Sequence, residues 1–155
     1  MNVTIVKGDL LDQDVDAIVN AWNRNAIPWW LLIPQGISGA IRRRAGTAPF
    51  RELAKAGILP LGGAVKTSAG RLPHKAIIHV AGIGFTWTSS ERAVRAAVRN
   101  ALAIARDAGL GSIAFPLIGA GTGGKSQERV LGWMQDELAG EVFEGEVRIV
   151  VFSRG

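Results

Sequence analysis

Short β-branched runs alternate with helical stretches along this chain, and that alternation constrains the fold more than any other feature. VTIV at residues 3–6 reads as a strand, and AIVNA at 17–21 as a second. GGAVKTSAG carries a third between glycines, and KAIIHVAG at 75–82 a fourth, apolar enough to be buried on both faces. SIAFPLI at 112–118 and EVRIVVF at 146–152 complete the set. Between the strands, ISGAIRRRAG turns helical and stops at Gly46, and APFRELAKAG stops at Gly57. A longer helix ending at Gly109 places Val94, Ala97, Val98, Ala101, Ile104 and Ala105 on one face, and Thr88-Ser-Ser-Glu91 reads as its capping box. Residues 127–139 read as a last helix. About six strands interleaved with about five helices specify an α/β fold, a largely parallel sheet covered on both faces.

The 155 residues suit one domain, 1–155, with neither linker nor repeat. A chain of this size buries roughly two-thirds of its unfolded surface, so it needs no disulfide or metal staple. Cysteine is absent, which excludes thiolate metal sites and a Cys nucleophile. The two histidines, His74 and His79, are too few for a His-based zinc site, and no metal or cofactor is expected. No apolar run approaches the roughly 18 residues of a membrane span. The N-terminus, MNVTIVKGDLLDQDVD, lacks a signal-peptide layout, so a cytoplasmic location is expected. The net charge of +5 suits an anionic ligand, with Arg42-Arg43-Arg44 its densest cluster.

In such sheets, ligands sit beyond the carboxyl ends of the strands. One segment there, GAGTGGKS at 119–126, fits the P-loop pattern letter for letter. A P-loop triphosphatase also needs further strands and a metal-binding Asp on a neighbouring strand. Only one helix and one strand follow, and neither KAIIHVAG nor EVRIVVFSRG supplies the Asp; Asp9 is the one candidate. The physics of the stretch outlives the pattern. Five of six residues in 119–124 are Gly or Ala, so its amides can turn toward a phosphate. Gly36-Ile-Ser-Gly39 offers amides at a second helix N-terminus. Two such cradles suit a diphosphate better than a magnesium triphosphate.

In GDLLDQDVDAIVNAWN (8–23), GISGAIRRRAG (36–46), LPLGGAVKTSAGRLPHKAIIHVAG (59–82) and FPLIGAGTGG (115–124), the chain resembles the macrodomains, which bind ADP-ribose. Several members of that family remove ADP-ribose from proteins or deacetylate O-acetyl-ADP-ribose. The resemblance implies a single macrodomain-like three-layer α/β/α sandwich with a mixed sheet. It implies that Asp9, with Leu10, reads adenine through the exocyclic amine, and that Phe152 lies near the base. Asn20 and Asn23 stand at the family's N-A-x-N positions and imply contact with the distal ribose, Asn23 next to the scissile bond. Gly36, Ile37, Ser38 and Gly39 match the first diphosphate loop, and Gly119, Ala120, Gly121, Thr122, Gly123 and Gly124 the second.

Loop one departs from the hydrolytic members. RNAIPWWLLIPQGISG is longer and apolar, and Ser38 occupies the position of their catalytic Asp. A serine hydroxyl is no base near neutral pH without a partner. Gly123 stands where those members carry an aromatic residue beside the ribose, and Trp30 is a candidate replacement. The expected partner is ADP-ribose or an ADP-ribosylated protein, bound by a monomer. Asn23 and Ser38 are the candidates for catalysis of ADP-ribosyl bond hydrolysis. A reader without turnover is the alternative. A triphosphatase and a nucleic-acid module rank behind it, and nucleic acid is expected only as an ADP-ribosylated end.

Overall fold

The computed structural model describes residues 1–21, 36–81, 90–119 and 124–152; at 36–38 and 124–126 the backbone alone is described. Strand β1 (Asn2–Gly8) leads through a 3₁₀ turn at Leu10–Asp12 to β2 (Ala17–Ala21). Helices α1 (Gly36–Ala45) and α2 (Ala48–Lys55) follow, then β3 (Ala64–Thr67) and β4 (Ala76–Val80). Helix α3 (Glu91–Asp107), β5 (Ser112–Phe115), α4 (Gly124–Ala139) and β6 (Glu146–Phe152) complete the chain.

The six strands form one mixed sheet in the order β1-β6-β5-β2-β4-β3. Every pairing is parallel except β3 with β4. The strands' period of two divides the core in half. Val19, Ile78, Val80, Ile113, Phe115, Val147 and Ile149 face α3 and α4, where Val94, Val98, Leu102, Val130, Met134 and Leu138 meet them. Ile18, Ile77, Ala114 and Val150 face the other way, against Ile41 and Ala45 of α1 and Phe50 and Leu53 of α2. Helices on both faces make the expected three-layer sandwich.

The described residues contain four α-helices and one 3₁₀ turn, where about five helices were expected. Strand β5 ends at Phe115, short of the expected Ile118, β1 runs over seven residues, and two helices start elsewhere than expected. Helix α3 begins at Glu91 and is capped by Ser90, whose hydroxyl accepts the Ala93 amide at 3.2 Å. Thr88, the expected cap, lies outside the described residues. Helix α4 begins at Gly124, three residues before the expected position.

Candidate functional site

The five parallel strands end on one edge of the sheet. The neighbours β2 and β5 send their connections to opposite faces, β2 to α1 and β5 to α4. Adjacent strands whose crossovers diverge leave a crevice between them, the usual ligand position in open α/β sheets. Both helices start at this edge, α1 at Gly36 and α4 at Gly124. Their first-turn amides have no partner within the helix, and their dipoles favour an anion. The described backbone after β5 ends at Gly119, whose φ of 67° is a left-handed conformation that a side chain would oppose. Gly36 and Gly119 thus belong to adjacent strand ends on one side of the molecule.

The outer end of the edge is built by β1 and β6. Phe152, the last residue of β6, is in register with Gly8 and is 61 % exposed. Asp9 follows directly and caps the 3₁₀ turn, its Oδ1 accepting the Leu11 amide at 2.9 Å. Capping occupies one carboxylate oxygen; the other remains an acceptor suited to an amine. Gln13 locks this corner. Its Nε2 donates to the Asp9 carbonyl at 3.0 Å, and its Oε1 accepts from Arg148 of β6 at 3.1 Å. Leu10 is buried in the core, so it offers a site its main chain rather than its side chain.

Asn20, which the resemblance places against a ribose, lies on β2 in register with His79 of β4. Its side chain is fully buried, and Nδ2 donates to Nδ1 of His79 at 3.1 Å. His79 sits beside it on β4, and its other nitrogen lies 2.8 Å from the Thr67 hydroxyl of β3. That hydroxyl donates to the Ser68 carbonyl at 2.9 Å. The Phe50 ring of α2 meets the imidazole edge-on, with centroids 6.1 Å apart. Burial pushes the His79 pKa down to about 3, so the ring is neutral near neutral pH. Along the sequence, His79 figures only as one of two histidines too few for zinc, and Thr67 does not stand out. The available signal is a histidine inside an otherwise apolar strand, which needs buried partners.

The other expected site residues divide in two. Ile37 and Ser38 lie in the first turn of α1, and Gly39 is buried. Asn23, Trp30, Ala120, Gly121, Thr122 and Gly123 lie outside the described residues. Arg42, Arg43 and Arg44 occupy the last turn of α1, roughly 10 Å along the axis from Gly36 at 1.5 Å per residue. There they complement the negative end of the helix dipole. Among the described residues there is no group of three or more His, Asp or Glu that could hold a metal. No described helix is long and apolar enough to cross a membrane.

Comparison with known proteins converges on one family. The macro domain family profile matches residues 19–134. A macro domain-containing protein of Streptomyces griseus is 40 % identical over 144 residues, covering 88 % of this chain and 74 % of its own. Among solved structures, a point mutant of the Oceanobacillus iheyensis macrodomain, with ADPR, superposes with a TM-score of 0.82 at 30 % identity. That match covers 97 % of this chain and 84 % of the other. A Trypanosoma brucei macrodomain in complex with ADP-ribose gives 0.75 at 26 % identity, covering 96 % of this chain and 63 % of its own.

Proposed function

We propose that this chain, which belongs to the macro domain family, binds ADP-ribose along the carboxyl ends of β1, β6, β5 and β2. The observation that carries this reading is the strand tip shared by Asp9 and the exposed Phe152, beside a crevice onto which two helix N-termini open. In this reading the Asp9 carboxylate accepts a hydrogen bond from the adenine amine, and Phe152 covers the base. Amides at the starts of α1 and α4 hold the diphosphate. Asn23 holds the distal ribose.

We further assign the site to hydrolysis of ADP-ribosyl bonds on modified proteins, or of O-acetyl-ADP-ribose. At a glycosidic linkage, water attacks C1″ as the bond to the acceptor breaks through an oxocarbenium-like state, and the acceptor departs with the bonding electrons. Fixed amides around the diphosphate hold C1″ in place. With serine at position 38, a substrate phosphate takes the water's proton and Asn23 orients the water. The competing reading is a reader that binds without turnover, and Ser38 is the residue that favours it.

Calorimetric titration with ADP-ribose tests binding; no heat and no thermal shift would refute it. Incubation with a protein ADP-ribosylated on acidic side chains tests turnover, with Asn23→Ala as control. Release of ADP-ribose by the wild type alone supports hydrolysis, whereas an untouched modification leaves the reader. Membership in this family displaces the triphosphatase reading of residues 119–126.

A further inference from the structure

Three neighbouring strands carry a row of buried polar side chains under α2: Asn20 on β2, His79 on β4 and Thr67 on β3. Asn20 and His79 are fully buried and Thr67 is 5 % exposed, so each polar atom needs a protein partner. The direction of the row follows from chemistry. Thr67 donates its one hydroxyl proton to the Ser68 carbonyl, so its oxygen accepts from His79, and the imidazole proton sits on Nε2. Nδ1 is then a lone pair, which accepts from Asn20 only if that amide turns its nitrogen toward β4. A planar amide turned this way carries its oxygen away from the imidazole, on a residue one position before the end of β2. The row is anchored beyond Ser68 as well, because Glu52 of α2 accepts both the Ser68 amide, at 3.1 Å, and the Ser68 hydroxyl.

From this row we infer that His79 is a positioning residue for the ligand site. Locked as its Nε2–H tautomer by Thr67, it fixes the orientation of the Asn20 amide at the point where the chain leaves β2. The inference rests on the ADP-ribose reading above and deepens it, since it names the buried side chains that orient a residue of that site. The described groups facing His79 are Asn20, Thr67 and the Phe50 ring, none of them charged, so a tautomer change reverses the row without a change in charge.

Thr67→Val supplies the test because it removes the hydroxyl at nearly constant volume. Without that acceptor, His79 shifts its proton to Nδ1, and the Asn20 amide must turn over to accept it. The expected result is ADP-ribose affinity weakened roughly three- to tenfold in Thr67→Val and restored to within about twofold in Thr67→Ser. Imidazole nitrogen NMR supplies a readout that loss of packing would not move. Wild type and Thr67→Ser should show an unprotonated Nδ1 and a protonated Nε2 at neutral pH, and Thr67→Val the reverse. Wild-type affinity in a folded Thr67→Val, or a wild-type His79 with its proton on Nδ1, overturns the inference while leaving ADP-ribose binding intact. Failure of the wild type to bind ADP-ribose overturns the functional reading and this role with it, and the tautomer spectrum separates that outcome from a wrongly assigned row.

Discussion

Phe152 and Gly8 are register partners at the ends of β6 and β1, which puts an exposed ring beside the residue preceding Asp9. Nothing in the core requires that ring, since a surface substitution of this kind changes stability by about 0.5 kcal/mol or less. Phe152→Ala is therefore expected to leave the denaturation midpoint unchanged while weakening ADP-ribose binding by about 1–3 kcal/mol, the scale of a base-stacking contact. Calorimetry beside a urea titration separates the two. Equal affinity in the variant would remove Phe152 from the site.

Asp9 combines two roles that one substitution divides. Asp9→Ala removes the cap of the 3₁₀ turn, a loss of about 1 kcal/mol of stability. It also removes the acceptor proposed for adenine, a charge-assisted bond of about 1.5–3 kcal/mol. Asp9→Ser keeps a capping oxygen but no carboxylate. It should recover most of the stability and little of the affinity, as read by thermal melts and titration. Recovery of both by serine would mean that the cap alone had mattered.

The parts of the fold legible in the sequence are those with local causes. AIVNA and EVRIVVF appear with the expected ends because an acid-rich turn precedes the first and Gly145 the second. Helix α4 starts early because the pattern through Gly123-Gly124-Lys125 carries no helical preference; docking of Val130, Met134 and Leu138 on the sheet supplies what local propensity lacks. Which strands become neighbours is not local at all. Asn20 and His79 are 59 residues apart and meet because β2 pairs with β4. Neither the burial of Asn20 nor its partnership with His79 was therefore open to a reading along the chain. The divergence of the crossovers at β2 and β5 was hidden for the same reason.

Gly70 ties the far end of α1 in place. Its φ is 59°, and a Cβ there would collide with the Ala45 carbonyl oxygen and lie 3.2 Å from Cδ of Pro49. The neighbouring Arg71 amide donates to that same carbonyl at 3.0 Å. Gly70→Ala combines a left-handed penalty with a backbone clash, and a loss of about 2–4 kcal/mol is expected. Helix α1 also brings Gly36 to the crevice, so weaker ADP-ribose binding should accompany the loss. Denaturant midpoints with and without ligand provide the check, and a variant as stable as wild type would show that the turn yields freely.

The buried imidazole sets an acid limit on the fold. His79 has its pKa depressed to about 3 by burial, against about 6.5 in an unfolded chain. Between those values the unfolded state takes up a proton that the folded state refuses. Stability is then fully present above the unfolded value and falls as pH drops through this window, by at most about 1.4 kcal/mol per pH unit. His79→Gln supplies an amide with an acceptor for Asn20 and a donor for Thr67 but no titration. Urea unfolding at about pH 7 and about pH 4.5 should therefore show the wild type losing roughly 2–3 kcal/mol more than the variant. Parallel losses in the two proteins would mean that His79 is protonated inside the fold, with Nδ1 no longer able to accept from Asn20.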